Sequence, residues 1–216
     1  MQRGLRGFGN TDYADISQIC ADFKYPRNPR CNPRNPFSIR VIRVAIRRAE
    51  LSELDFLRAF AERSFRITYE AQNDPQAFND YCAEAFALEK IRAEMEDPQS
   101  EYYFACRGDE RVAYLKFNFD RHPLGLESQR TMQVQRIYID PAYQGQGLGR
   151  LLLDFAQQRA ADANLDWLWL SVWQKNPPTV AFYEHCGFEI FGVEVFPLGS
   201  DPQPDWLMRR RVSYEV

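Results

Sequence analysis

Gln144-Gly145-Gln146-Gly147-Leu148-Gly149 stands where a strand hands over to a helix. Upstream, Val134-Gln135-Arg136-Ile137-Tyr138-Ile139 is a β-branched and aromatic run of the kind that forms a buried strand, and Asp140-Pro141 closes it. Downstream, Leu148, Leu151, Leu152, Phe155, Ala156, Arg159, Ala160 and Ala163 recur at spacings of three and four, which predicts an amphipathic helix to Asn164. Three glycines at the junction let the backbone approach a ligand with no side chain in the way. The first helical turn adds free N–H groups and the positive end of the helix dipole. Together these features predict a cradle for a pyrophosphate, and hence a phosphorylated cofactor.

Two common nucleotide sites are excluded on spacing. A dinucleotide-binding Rossmann turn belongs to the first strand–turn–helix unit, with an acidic residue about twenty positions on. Here the glycines come late, and the nearby Asp166 precedes the next strand instead of ending it. A P-loop ends in Gly-Lys-Ser/Thr, whereas Gly149 is followed by Arg150 and Leu151. The flanks narrow the choice further. Trp167 to Val172 reads as a second buried strand, followed by Trp173-Gln174-Lys175-Asn176. Asn176 is a good N-cap with Pro177 at the first helical position, and the short helix bearing Val180 to Tyr183 stops at Cys186-Gly187. Phe188 to Phe196 reads as a further strand.

Gln144-x-x-Gly147-x-Gly149 after a strand, then Asn176, then Ala181-Phe182-Tyr183 before Gly187-Phe188, resembles the GNAT superfamily of acetyl-coenzyme A-dependent N-acetyltransferases. One branch is more similar than the rest, the bacterial PaiA-like polyamine (spermidine/spermine) acetyltransferases. The matching segments are Arg136-Ile137-Tyr138-Ile139, Leu168-Trp169-Leu170, Phe65 to Tyr69, Gln72 to Pro75, and Ala85-Phe86 near Leu88-Glu89. The resemblance runs from about Arg40 to the C-terminus. It implies an α/β fold with a mixed, mostly antiparallel central sheet flanked by helices, and central strands splayed apart to admit the pantetheine arm.

The same resemblance assigns roles. Main-chain groups of Ile137, Tyr138 and Ile139 would pair with the amides of acetyl-coenzyme A like an added strand. A slip in apolar phase between Val134 and Ile137/Ile139 is what a β-bulge in that strand would require. The N–H groups of Gln144, Gly145, Gln146, Gly147, Leu148, Gly149 and Arg150 would hold the pyrophosphate, with added charge from Arg150. Asn176 would bind the pantetheine side. Tyr183 is the candidate general acid, a phenol that protonates the departing thiolate. Relatives often carry a base glutamate on the strand before the glycine turn; the corresponding residues here are Gln133 and Gln135, and an amide accepts no proton. Glu62, Asp80 and Glu84 are the acidic alternatives, and water relays are another. The acceptor is expected to be a polyamine or other small cationic amine, attacked directly within a ternary complex. A peptide α-amine or lysine is the alternative, as is a coenzyme A-binding regulatory module without turnover.

Composition agrees with a globular enzyme domain. The chain has 216 residues, 45% of them hydrophobic and 14% aromatic, and its net charge is −3. No apolar run has the length of a membrane span, and the N-terminus lacks a signal-peptide core. Five cysteines without close pairing and two histidines indicate neither a disulfide framework nor a metal centre, so a cytoplasmic location is expected. Cys186 reads as a packed residue, not a nucleophile. Residues 1–39, with prolines interleaved among arginines, are expected to be a flexible extension to a domain at residues 40–216. Residues 1–38 carry +3, leaving −6 for the rest, a balance that favours cationic ligands over nucleic acid.

The remaining segments predict a strand at Ile39–Ile46, a helix at Glu50–Arg66 and helices at Pro75–Ala87 and Leu88–Glu96. A hairpin follows at Glu101–Arg107 and Arg111–Phe119 around Gly108-Asp109, then a polar connection to Arg130. The last strand is placed at Asp205–Val212, after a Pro/Gly-rich loop at Pro197–Pro204. A homodimer is compatible with exposed strand edges in such a fold.

Overall fold

The computed structural model describes residues 44–119, 121–198 and 201–213. The expected flexible extension at residues 1–39, and the first five residues of the strand anticipated from Ile39, lie outside them. The chain runs β1 (Ala45–Arg48), α1 (Leu54–Tyr69), α2 (Pro75–Ala85), α3 (Leu88–Glu96), β2 (Ser100–Arg107), β3 (Glu110–Asn118) and β4 (Thr131–Ile139). It continues through α4 (Leu148–Asp162), β5 (Trp167–Trp173), α5 (Pro177–His185), β6 (Glu189–Leu198) and β7 (Asp201–Arg211). The strands form one sheet in the order β1-β2-β3-β4-β5-β7-β6, antiparallel except where β4 and β5 run parallel. That parallel step needs a crossover, and α4 supplies it. The expected mixed sheet flanked by helices is the fold of this chain.

Local chemistry explains where the helices begin. Asp74 caps α2 by accepting from Gln76 N at 3.1 Å and Ala77 N at 2.9 Å, with Pro75 at the first helical position. A 3₁₀ turn at Leu51–Glu53 precedes α1, so the helix proper starts later than Glu50 and runs on to Tyr69. The sheet then divides the core in two. On one face α4 and α5 pack Leu148, Leu152, Phe182 and Tyr183 against Leu115, Val134, Ile137 and Ile139. On the other, α1 to α3 pack Leu57, Phe65, Phe78 and Ile91 against Phe104, Tyr114, Tyr138 and Trp173. Phe65 sits at the middle of this second cluster, 5.4 Å from the Phe78 ring and 5.2 Å from Tyr81. Burying a side chain of that size contributes about 2–3 kcal/mol.

Two departures from ideal pairing shape the middle of the sheet. Pairing between β4 and β5 covers only Thr131–Trp167, Met132–Leu168 and Gln133–Trp169. Beyond Gln133 the two strands separate, while β5 stays bonded to β7 as far as Trp173–Asp205. The second departure is in β4, where Lys116 faces Arg136 but Phe117 faces Val134, leaving Gln135 as the extra residue of a bulge. The bulge lets Val134 and Ile137, three apart, share the α4 face, as their apolar phase requires.

The C-terminal loop expectation is corrected. Pro197 pairs with Pro202 and Val195 with Pro204, so β6 and β7 continue through the Pro-rich segment as a two-stranded ribbon. Proline is tolerated there because the ribbon runs past the end of β5 and the missing donors face a sheet edge. The first strand also shifts: it extends to Arg48, opposite Tyr103, beyond the last apolar residue Ile46. Among the described residues no helix is long and apolar enough to cross a membrane.

Candidate active site

The glycine turn sits at the mouth of the separated strands. Gly145 and Gly147 have φ of 77° and 78°, left-handed values that side chains with a Cβ adopt at a cost. Gly147 is the N-cap of α4, and the first intrahelical bond runs from Leu151 N to Gly147 O at 3.3 Å. The N–H groups of Leu148, Gly149 and Arg150 therefore precede the helical ladder, at the positive end of a fifteen-residue helix. A Cβ added at Gly147 would meet no atom within 4 Å, so the space above the turn is open. These groups fit a diphosphate. Arg150 pairs with Asp154 one helical turn on, 3.0 Å away. On the approach to the turn, Asp140 caps Ala142 N at 3.0 Å and binds Arg63 of α1 at 2.7 Å.

The main chain of β4 shows which residues face the opening. Asp140 N donates to Val112 O at 2.8 Å. Bonding sense alternates along an antiparallel pair, so Arg136 and Tyr138 turn their main-chain groups toward β3. Ile137 and Ile139 turn theirs toward the edge that β5 has left. The Ile139 carbonyl already accepts from Gln144 Nε2 at 3.2 Å, and Gln146 Nε2 reaches Ala142 O at 3.3 Å. Tyr138 is not placed at the opening by its main chain; its ring stacks on Tyr114, centroids 5.3 Å apart, on the α1 face.

Beyond β5, Asn176 caps α5, its side chain accepting from Thr179 N at 3.4 Å. Tyr183 lies on the buried side of α5, fully enclosed, with Phe182 5.6 Å and Phe188 5.4 Å away between ring centroids. It belongs to the same cluster as Ile137, Ile139 and Leu148, so the candidate acid and the candidate cofactor strand share the α4 face. Cys186 is buried and its thiol is pushed above its usual range by burial, the environment of a packed residue and not of a thiolate.

On the α1 face the sheet is polar where the strands part. Gln133, Gln135 and Ser171 are 1%, 3% and 2% exposed. Asn118 Nδ2 donates to Gln133 Oε1 at 2.9 Å. Gln133 Nε2, Ser171 Oγ and Trp173 Nε1 are buried and meet no hydrogen-bond partner among the described residues. Each costs about 1–3 kcal/mol in that condition. Next to them lie two buried cations, Lys116 and Arg136, facing each other across β3 and β4. Lys116 binds Glu94 at 2.8 Å; Arg136 lies 5.0 Å over the Phe86 ring and donates to Tyr102 Oη at 3.4 Å. Burial pushes the Tyr102 phenol well above its usual range, so it remains a protonated donor to Glu94.

The acidic alternatives named from the sequence are elsewhere. Glu62 pairs with Arg58 and Arg66 on the outer side of α1, and Asp80 and Glu84 are exposed on α2. A residue missed by the sequence reading is Asp205. It is fully buried and faces Trp173 across β5 and β7, and Glu194 across β6 and β7. An acid inside the otherwise apolar run Asp205-Trp206-Leu207-Met208 was the available signal.

Comparison with known proteins identifies the arrangement. The chain is 29% identical over 152 residues to an uncharacterised N-acetyltransferase of Lactobacillus delbrueckii subsp. lactis, covering 70% of this chain and 88% of the relative. Over 145 residues it is 29% identical to the mycothiol acetyltransferase of Thermobifida fusca, covering 62% of this chain and 45% of that protein. Over 97 residues it is 35% identical to the ribosomal protein bS18-alanine N-acetyltransferase of Escherichia coli, covering 42% and 64%. Among solved structures, the PaiA N-acetyltransferase of Thermoplasma acidophilum in complex with coenzyme A superposes with a TM-score of 0.64 at 18% identity, over 78% of this chain and 99% of that one. The Vibrio cholerae spermidine N-acetyltransferase bound to coenzyme A and spermine gives 0.60 at 21%, over 78% and 95%. A family model for the acetyltransferase (GNAT) family matches residues 56–188, and with well over half its length so matched the chain belongs to that family, whose co-substrate is acetyl-coenzyme A.

Proposed function

We propose that this N-acetyltransferase moves the acetyl group of acetyl-coenzyme A onto a primary amine by direct attack, with the cofactor between β4 and β5 and the amine arriving from the α1 face. The observation that carries this reading is the separation of β4 from β5 beyond Gln133, with the left-handed glycine turn at its mouth. Main-chain groups of Ile137 and Ile139 would hold the pantetheine amides. The N–H groups from Gly145 to Arg150 would hold the diphosphate, and Asn176 the far side. Tyr183, on the face opposite the incoming amine, would give its phenol proton to the departing thiolate. The buried Cys186 supports direct transfer over an acetylated enzyme. Three buried free thiols, Cys82, Cys106 and Cys186, fit the cytoplasm.

A primary amine with a pKa near 10.4 gives up its proton at pH 7 at a cost of roughly 4–5 kcal/mol. With amides at Gln133 and Gln135, that proton would leave by a relay toward Asp205, the buried carboxylate that register brings to this face beside Trp173. A polyamine acceptor has the −6 balance and the fold neighbours behind it. The buried Lys116 and Arg136, the first of them paired with Glu94, lie on the same α1 face and weigh the other way.

Release of coenzyme A thiol from acetyl-coenzyme A tests the reading, with wild type and Tyr183→Phe against spermidine, spermine, free amino acids and a lysine peptide. Turnover with a primary amine is expected, and a fall of about 10²-fold in kcat for Tyr183→Phe. Tight coenzyme A binding with no thiol release from any amine would make the protein a regulatory module instead.

A further inference from the structure

Apolar cover on the α1 face is interrupted where the strands part. One cluster, with Tyr114, Tyr138 and Trp173, lies under α1 to α3; a second, Leu126, Trp169 and Leu207, lies under the connection from β3 to β4. Gln133 and Ser171, 1% and 2% exposed, put a buried amide and a buried hydroxyl on this face. Gln133 stands opposite Trp169 in the last pair before the strands separate, and Ser171 and Trp173 follow on the same side of β5 at intervals of two residues. The three therefore lie on the α1 face of the two strands that border the opening, the side from which the amine would come.

Their chemistry has one sense. Trp173 Nε1 can only donate. The accepting oxygen of Gln133 is already engaged by Asn118, which leaves its NH₂ as the group on offer. Ser171 can donate as well as accept. None of these three donor groups has a partner among the described residues, and buried donors are retained unpaired where a ligand completes them. A polyamine presents only N–H donors, which Ser171 and the neighbouring Asp205 can accept but Trp173 Nε1 and Gln133 Nε2 cannot.

Resting on the acetyl-transfer reading, we propose that the acceptor is an aminoacyl amide, the N-terminus of a peptide or a small molecule of that form. Its carbonyl oxygens are received by Gln133 Nε2, Ser171 Oγ and Trp173 Nε1. Ser171 and Trp173 stand two residues apart on one side of β5, a main-chain rise of about 6.6 Å, so an extended peptide alongside the strand repeats its same-side carbonyls in step with them. A site of this kind discriminates strongly, because an amine lacking the oxygen leaves buried donors unpaired.

The test uses the full chain with acetyl-coenzyme A and matched amines: alanyl-alanine amide, alaninamide, isopropylamine and spermidine. The aminoacyl amides are expected to exceed isopropylamine and spermidine by about 10²-fold in kcat/KM. Gln133→Leu and Ser171→Ala are expected to shrink that preference at least tenfold, through the KM for the amide. Ser171→Ala should unfold at or above the wild-type temperature, since its hydroxyl is unpaired in the free protein, whereas Gln133→Leu also strips Asn118 Nδ2 of its acceptor and is expected to unfold lower. A lower unfolding temperature for Ser171→Ala would mean that its hydroxyl serves the fold, and would overturn the proposal. So would spermidine as the better acceptor, or an equal loss of kcat with every amine, which would assign the donors to the acetyl group. Those results leave acetyl transfer standing. Absence of thiol release from all four, with coenzyme A bound and no calorimetric binding of alanyl-alanine amide, would remove both readings together.

Discussion

Replacing Gly147 by alanine separates the conformational role of the glycine turn from its role in approach to a ligand. Gly147 holds φ at 78° as the N-cap of α4, and an added Cβ would meet no protein atom within 4 Å. The folded-state cost is therefore the left-handed backbone alone, about 1 kcal/mol, or a fall of roughly 2–4 °C in unfolding temperature for a chain of this size. Asparagine tolerates that conformation better, so Gly147→Asn should recover part of the stability. Neither variant should recover coenzyme A affinity, because each places a side chain where the diphosphate meets the N–H groups of the first turn. A loss of at least about tenfold in Kd, near 1.4 kcal/mol, is expected by calorimetry for both. Wild-type affinity in Gly147→Ala would refute the cradle. Affinity that recovered in step with stability in Gly147→Asn would show that only the shape of the turn matters.

Further outcomes concern the caps and the ion pairs. Asn176→Ala removes the acceptor of Thr179 N and should lower stability by about 1 kcal/mol in urea unfolding while raising the Kd for coenzyme A; a change in stability alone would limit Asn176 to capping. Glu53 is held at about 2, below its usual 4.5, chiefly by its hydrogen bonds to Arg47, with further bonds from the Glu50 main chain and Arg111. A carboxylate lowered by folding stabilises above its unfolded value and loses that contribution as pH falls from about 4.5 to about 2. Glu53→Gln should thus destabilise by about 1 kcal/mol at pH 7, allowing for solvent screening, with a smaller difference at pH 3; equal differences at both values would rule out the linkage.

What was legible in the sequence was local. The glycine turn and the Asn176 cap depend on residues within a few positions of one another, and each stands where the pattern put it; the α4 stripe differs in one place, with Leu151 exposed and Leu153 buried. Even the bulge at Gln135 was readable, because a slip in apolar phase has one structural solution. Pairing between distant segments was not. Proline at 197, 202 and 204 signals a loop by propensity, yet the ribbon forms because β7 outruns β5 and leaves an edge. The candidate site divides the same way. Ile137, Ile139 and Tyr183 could be placed from motifs, whereas Ser171, Trp173 and Asp205 become neighbours only through the register of β5 on β7. Glu62, Asp80 and Glu84 had suitable chemistry, but the direction of a side chain on a helix is fixed by packing, and packing turned all three outward.

The bulge in β4 also determines which changes in length this chain can survive. A strand repeats every two residues, so one extra residue acts as a phase shifter between two separately ordered halves. Upstream, Gln133 lies on the α1 face bonded to Asn118; downstream, Ile137 lies on the α4 face in the cluster that holds Tyr183. Deleting Gln135 would do far more than remove one amide, since one half of the strand would have to turn over, exchanging Gln133 with Val134 or Arg136 with Ile137. Either exchange buries a charge or an amide in the apolar face. The number of residues at this point in β4 is therefore constrained in its own right, apart from the chemistry of the buried amide that fills it.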